Sequence, residues 1–225
     1  MAEQLIFDLP KRTALGRGDF FVSSANVLAV TRLDDTETWP NAKLALTGPE
    51  GAGKSHLAHD WSKANHGHVM LTADLPSADI PGIATALAVE IPDAPMPSAE
   101  EEALFHLHNH MIAQNLPLLL IARTPPARWT ITLPDLKSRM QAMDVVQIEA
   151  PDEALLSAML VKLFTDRQLQ IDPNLIPWLV THSERSFAAI NRLVVALDAE
   201  ALAQKRAITR PLARRVLDKL DEERR

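Results

Sequence analysis

The stretch Leu44-Ala45-Leu46-Thr47-Gly48-Pro49-Glu50-Gly51-Ala52-Gly53-Lys54-Ser55 decides the fold. It contains a short apolar run and a G-x-x-x-x-G-K-S loop, and a helical pattern follows from His56 to Ala64. A strand, a glycine-rich loop and a helix in this order indicate a phosphate-binding loop. The glycines let successive backbone N–H groups face one point, and the helix adds the positive end of its dipole. We therefore predict that the chain binds a nucleoside di- or triphosphate.

Individual loop residues have distinct expected roles. Lys54 can reach the β and γ phosphates, and the Ser55 hydroxyl can join a Mg²⁺ coordination shell. The predicted nucleotide-binding residues are Gly48, Pro49, Glu50, Gly51, Ala52, Gly53, Lys54, Ser55 and His56.

The composition indicates a globular protein with room for one large and one small domain. The chain has 225 residues, of which 47% are hydrophobic, and its longest apolar runs, such as 116–122, are too short to cross a bilayer. The absence of cysteine excludes disulfides and thiolate metal sites, and no signal-peptide pattern is visible. With a net charge of −6 the chain lacks the basic excess of an autonomous duplex binder. We expect a cytoplasmic protein without a membrane partner.

Alternating strand and helix patterns follow the chain to residue 150. Strands are predicted at 43–47, 69–72, 84–90, 116–122 and 145–148. Helices are predicted from Ser23 or Ser24 to about 33, at 55–65, and from an N-cap at Ser98 to about 114. Strands that alternate with helices after a phosphate loop predict an α/β fold with a parallel, doubly wound sheet.

A second domain is predicted after Pro151, where strand patterns end. Helical patterns cover 152–167, 173–182, 186–203 and 209–221. We therefore divide the chain into a tail at 1–12, a nucleotide-binding core at 13–150 and a small all-helical domain at 151–225.

The acids needed for hydrolysis are incomplete in the sequence. Glu90, at the end of a predicted strand, is the best candidate for a Mg²⁺ ligand, with Asp74 as a rival. The next residue, Ile91, can neither accept a proton nor orient a water molecule, and Asp93 lies beyond a proline. Intrinsic ATP hydrolysis is expected to be slow or absent.

The N-terminal tail carries alternating apolar residues closed by Pro10. Its candidate contact residues are Gln4, Leu5, Phe7 and Leu9. The residues alone support equally a peptide that enters a partner's groove and a first β-strand or frayed tail.

Three further features each have an ordinary structural interpretation and a functional one. Arg139 could donate to phosphate in a neighbouring molecule or be an ordinary surface arginine. The histidine spacing favours solvated or packed side chains over a metal site at His106, His108 and His110. A basic cluster favours the exposed face of a last helix over a phosphate-binding patch; its members are Lys205, Arg206, Arg210, Arg214 and Arg215.

Taken together, these features resemble the DnaA branch of the AAA+ family and, within it, the shorter Hda-like regulators. The resemblance covers essentially the whole chain. It rests on the phosphate loop and on the segments 102–109, 125–126, 136–139 and 208–209.

The resemblance implies an AAA+ core with a helical lid and with ADP or ATP, and Mg²⁺ where present, bound between them. It implies that Phe20, Val22 and Asn26 line an adenine pocket and that Arg139 is an arginine finger offered in trans to ATP on DnaA. It also implies that the tail binds the sliding clamp, the beta subunit of DNA polymerase III, so that DNA is reached through the clamp. A homo-oligomer is left open.

The chain departs from the family pattern at the hydrolytic residues. Glu90 and Ile91 stand where the initiator has paired acids, and Arg123 takes the polar sensor position at a strand end. Ala189 takes the position of the lid arginine, with Arg185 and Arg192 nearby.

These departures fit a protein that uses nucleotide, with ADP expected, to set its shape. The resemblance implies a regulator that docks on the DNA-loaded clamp and stimulates ATP hydrolysis on DnaA, and that thereby prevents over-initiation. The alternatives are a self-standing ATPase such as a helicase loader and an adaptor that tethers DnaA or the origin without affecting hydrolysis.

Overall fold

The computed structural model describes residues 22–204 and 206–222. The predicted clamp-binding residues Gln4, Leu5, Phe7 and Leu9 and the predicted adenine-pocket residue Phe20 lie outside the described residues.

A five-stranded parallel sheet forms the centre of the core, which confirms the predicted α/β class. Its strands are β1 (Lys43–Thr47), β2 (His68–Leu71), β3 (Leu87–Glu90), β4 (Leu118–Ala122) and β5 (Val145–Gln147). They lie in the order β2-β3-β4-β1-β5. Because all strands are parallel, the residues that follow β1, β3 and β4 meet at one edge of the sheet, where α/β proteins bind their ligands.

Helices cover both faces of this sheet. They are α1 (Val27–Asp34), α2 (Lys54–Ala64), α3 (Ser98–Ala113) and α4 (Pro134–Gln141). Successive residues of β4 alternate between the two layers, because strand side chains point to opposite faces. Leu118 and Leu120 pack with α3 and α4, while Leu119 and Ile121 pack with α1 and α2. This double burial explains why β4 reads as an uninterrupted apolar run.

The helix starts differ from those predicted. Asn26, not Ser23 or Ser24, precedes α1, and its side-chain oxygen accepts a hydrogen bond from the Ser23 backbone N–H at 2.8 Å. Pro97, not Ser98, precedes α3. The helix α4 was not assigned from the sequence.

Four helices follow the sheet: α5 (Glu153–Asp166), α6 (Leu175–His182), α7 (Phe187–Gln204) and α8 (Arg210–Glu222). They enclose an apolar cluster of their own, centred on Leu160, Leu179 and Leu193. Among the helices of residues 22–204 and 206–222, none combines the length and apolar character that a membrane span requires.

Candidate nucleotide-binding site

The loop between β1 and α2 has the backbone conformation of a phosphate cradle. Gly51 and Gly53 have φ values of 70° and 89°, in the left-handed region that favours glycine. A Cβ atom on Gly48 would lie 2.6 Å from the carbonyl oxygen of Ile148, and one on Gly51 would lie 2.7 Å from Cβ of Ala188 in α7. The loop is therefore in close contact with both the sheet and the lid.

Lys54, in the first turn of α2, lies against the loop. Its Nζ donates to the carbonyl oxygens of Gly48 and Pro49 at 2.7 and 2.8 Å. Burial, followed by the nearby Arg123 guanidinium, lowers the pKa of Lys54, and carboxylates on the same edge of the sheet act in the opposite direction. These carboxylates belong to Asp93, Glu50 and Glu90.

A cavity of about 790 Å³ lies between the loop and the lid, within the size range of small-molecule sites. Its core wall contains Asn26, Arg123 and the residues from Glu50 to His56. Its lid wall contains Met159, Lys162, Leu163, Asp166, Arg167, Phe187, Ala188 and Asn191.

The lid residues of this cavity were missed by the sequence analysis. Met159, Lys162, Leu163 and Asp166 are spaced three and four apart, so they share one face of α5. That spacing was the available signal, but the sequence does not say which face of α5 meets the core.

The predicted adenine-pocket residues are only partly brought together. Asn26 is buried and lines the cavity. Val22 is half-buried, packs against the apolar cluster under α1 and α2, and does not line the cavity.

Glu90 ends β3 and lies within electrostatic range of Lys54, whereas Asp74 follows the edge strand β2 in a short 3₁₀ turn. Ile91 is buried, and its N–H donates to the carbonyl oxygen of Ile121 at 2.8 Å. The position after Glu90 therefore offers an apolar side chain and a backbone N–H that is already used.

Arg123 at the strand-end sensor position, and the two arginines near Ala189 at the lid sensor position, each form ion pairs with carboxylates. Arg123, which follows β4, has its Nη1 2.9 Å from Asp93 Oδ2 and 3.3 Å from Glu50 Oε2. In the lid, Arg185 Nη2 lies 2.5 Å from Glu153 Oε1. Arg192 Nη2 lies 4.0 Å from Glu184 Oε2, and neither lid arginine lines the cavity.

Arg139 lies on α4 and is exposed, away from the residues that line the cavity. Its guanidinium carbon is 5.0 Å from the centroid of the Phe105 ring. Within residues 22–204 and 206–222, no carboxylate forms an ion pair with it. This arginine cannot serve the chain's own cavity from that position.

The other singled-out residues have local contacts. His110 Nε2 lies 2.8 Å from the carbonyl oxygen of Ile83, and His108 is buried beside Lys43. In the basic cluster, Arg206, Arg210, Arg214 and Arg215 are exposed, and Arg210 stacks on Trp178 with 5.0 Å between guanidinium carbon and ring centroid.

Comparison with known proteins identifies the lid and the fold. Residues 152–217 match the family model of the Hda lid domain. Domain III of Thermotoga maritima DnaA is similar with a TM-score of 0.73 at 15% identity, covering 89% of this chain and 94% of that one. AMPPCP-bound DnaA from Aquifex aeolicus has a TM-score of 0.68 at 15% identity, and the match covers 81% of this chain and 64% of that one.

More distant motors share the fold. RuvB of Thermotoga maritima, a Holliday junction branch migration motor, has a TM-score of 0.63 at 18% identity and covers 89% of this chain and 70% of that one. No curated protein matches the sequence. The structural likenesses show that the chain has the fold of these proteins, and the family match shows that residues 152–217 are similar to an Hda lid domain.

Proposed function

We propose that this chain, an Hda-like protein of the DnaA branch of the AAA+ family and a DnaA-related replication regulator, stimulates ATP hydrolysis on DnaA. One contrast carries the proposal. The chain has a phosphate loop with Lys54 but an apolar Ile91 beside Glu90, while Arg139 is exposed outside its own cavity.

ADP or ATP is the ligand that best fits the cavity between loop and lid. The phosphates would lie on the backbone N–H groups from Glu50 to His56, which line the cavity, whereas Gly48 and Pro49 do not line it. Lys54 would turn from the loop carbonyls to the anion. The Ser55 hydroxyl and the Glu90 carboxylate are hard oxygen donors, so they fit Mg²⁺ and would hold it. Bound there, Mg²⁺ would neutralise phosphate charge.

ADP is the preferred nucleotide in this proposal. The Arg123 guanidinium, which stands at a sensor position, is already paired with Asp93 and Glu50. A γ-phosphate would therefore meet two carboxylates as well as the cation, and like charges disfavour its binding.

Arg139 supplies the chemistry that the chain offers to its partner. An exposed guanidinium presents a fork of N–H donors that matches phosphate oxygens. Placed at the γ-phosphate of ATP on DnaA, such a finger can be worth roughly 10³–10⁵ in hydrolysis rate. The chain's own nucleotide would set the relation of lid to core rather than be turned over.

The N-terminal tail would attach this activity to DNA. Gln4 would fill an amide pocket of the sliding clamp, the beta subunit of DNA polymerase III, and Leu5, Phe7 and Leu9 would be the apolar anchors. DNA is then reached through the clamp, and the protein acts in the cytoplasm as a monomer or a homo-oligomer.

Clamp binding is tested by Gln4→Ala. We expect this variant to lose binding to immobilised clamp in surface plasmon resonance while its melting temperature stays unchanged. Unchanged clamp binding would contradict the role of the tail.

The proposed function is tested by measuring hydrolysis of DnaA-bound ATP with DNA-loaded clamp, with and without this protein. A large acceleration is expected. ATP turnover by this protein alone that is lost in Glu90→Gln would support a self-standing ATPase instead. Strongly salt-dependent duplex binding through the 205–215 basic cluster, without acceleration, would support a tethering adaptor.

A further inference from the structure

Beneath Arg139 lies a pair of buried nitrogen groups that the proposed function leaves unexplained. Lys43, the first residue of β1, is 9% exposed, and His108 of α3 is 1% exposed. The Lys43 Nζ lies 2.8 Å from His108 Nε2. We call Lys43, His108 and Arg139 the nitrogen cluster.

The ring of His108 is the acceptor in this contact. Burial, followed by the charge of Lys43, lowers the pKa of His108 to about 4, so the ring is neutral at pH 7. A lysine ammonium has only donors, so Nε2 accepts and the ring proton is on Nδ1. Within the described part of the chain Nδ1 has no partner at hydrogen-bond geometry, although the neighbouring Asn109 side chain acts to raise the pKa of the ring, against burial and Lys43.

Within the part of the chain that the structure describes, no carboxylate is ion-paired with the nitrogen cluster. None of the ion pairs among residues 22–204 and 206–222 includes Lys43 or Arg139. Burial, followed by the nearby Arg139, lowers the pKa of Lys43. Burying a lysine without a carboxylate partner costs folding free energy, so stability alone does not explain the contact between Lys43 and His108.

The geometry gives Arg139 an inner alternative to its exposed position. Phe105 and His108 are three residues apart on α3, so they are neighbours on one helix face. The guanidinium carbon of Arg139 lies 5.0 Å from the centroid of the Phe105 ring. His108, with its Nε2 acceptor, lies one helical turn further along the same face of α3. A neutral imidazole nitrogen in a buried site is a strong acceptor for a guanidinium when no other donor occupies it.

We infer that Lys43 is a positioning residue: by occupying the acceptor nitrogen of His108, it keeps the Arg139 guanidinium outside on the Phe105 ring, where a partner can reach it. Without Lys43, Arg139 turns inward, donates to His108 and is withdrawn from the surface. The importance of this position for stimulation rests on the proposed function, but the position itself does not.

The position of Arg139 is measured by its rate of modification with phenylglyoxal, followed by peptide mass spectrometry, with the exposed Arg128 as internal reference. We expect Lys43→Met to slow modification of Arg139 several-fold and to leave Arg128 unchanged. Lys43→Arg keeps a donor to His108 and should react like wild type. The double variant Lys43→Met/His108→Leu removes the inner acceptor and should restore the wild-type rate.

Either of two results overturns the inference: an unchanged Arg139 rate in Lys43→Met, or a double variant as slow as the single one. Circular dichroism verifies folding. Should Lys43→Met not fold, Lys43→Leu, which likewise has no donor, provides the same comparison.

Stimulation of DnaA hydrolysis by the same variants separates the two claims. Rates that fall and recover with the labelling support both. If the variants are labelled as expected but the wild-type protein does not stimulate hydrolysis, the positioning role is supported and the proposed function is contradicted.

Discussion

Arg123 lies between two carboxylates, with its guanidinium 2.9 Å from Asp93 and 3.3 Å from Glu50. At the scale of single residues, this ion-paired arrangement is the basis of the proposed lack of hydrolysis at this site. The cation at the sensor position is already paired, and the residue after Glu90 is the buried Ile91. In the proposed binding mode a diphosphate would meet Lys54 and the loop, whereas a triphosphate would also meet the two acids.

The paired sensor predicts a change in nucleotide preference. Glu50→Gln combined with Asp93→Asn should raise the affinity for ATP relative to ADP several-fold, because two negative charges leave the space beyond Lys54 and Arg123 becomes available. Isothermal titration calorimetry with both nucleotides measures the ratio. Asp218→Asn, at a lid carboxylate that does not line the cavity, is the control. An unchanged ratio would contradict the proposed role of the carboxylates.

Only some residues of the site can be predicted from the sequence. The glycines and Lys54 are recognisable because a phosphate loop needs fixed residues at fixed spacing. Arg167 and Asn191, which line the same cavity from the lid, have no local signature. The Lys43–His108 contact joins residues 65 positions apart, which no local pattern reveals.

At the scale of elements, α4 carries Arg139, and a buried carboxylate on α3 fixes where α4 begins. Glu101 is 1% exposed and accepts hydrogen bonds from the Thr132 N–H and hydroxyl and from the Leu133 N–H. Burial alone raises the pKa of Glu101, but these hydrogen bonds outweigh it and hold the pKa below its ordinary value of 4.5.

Glu101→Gln should therefore destabilise the protein by about 2–4 kcal/mol, since a buried charged acceptor of hydrogen bonds from Thr132 and Leu133 is replaced by a neutral amide. Urea unfolding at pH 7 measures this, and Glu102→Gln, exposed on the same turn, is the control. Because the pKa is lower in the folded state, the stabilisation by Glu101 is present above pH 4.5 and is lost as pH falls through the folded-state pKa. A difference between wild type and variant that does not shrink in acid would contradict this account.

The element boundaries were predicted least well, for physical reasons. The helix α3 follows Pro97, and its buried Glu101 bonds to the segment before α4 rather than to the start of its own helix. The strands β1 and β4 were predicted within two residues because parallel central strands are apolar on both faces.

At the scale of the whole molecule, the nucleotide cavity is shared by core and lid, so a ligand should stabilise both together. The loop residue Gly51 approaches Ala188 of α7 closely, and the lid wall includes residues of α5 and α7. The family likeness correctly predicted this architecture, since the core has the fold of DnaA domain III and residues 152–217 match an Hda lid.

ADP at 100 times its Kd should add about 2.7 kcal/mol to the free energy of unfolding, which is about 5–10 °C in melting temperature for a chain of this length. Differential scanning fluorimetry measures the shift. Lys54→Ala should abolish it, while Lys63→Ala, exposed on the same helix, should not. A full shift in Lys54→Ala would show that ADP binds elsewhere.

The central claim is that this chain lends Arg139 to hydrolysis on DnaA while its own nucleotide is not turned over. The most direct test compares wild type, Arg139→Ala and the exposed control Arg128→Ala in the hydrolysis of DnaA-bound ATP with DNA-loaded clamp. We expect Arg139→Ala to lose the acceleration, by a factor of roughly 10³ or more, with unchanged ADP affinity, and Arg128→Ala to retain it. Full acceleration by Arg139→Ala would contradict the account.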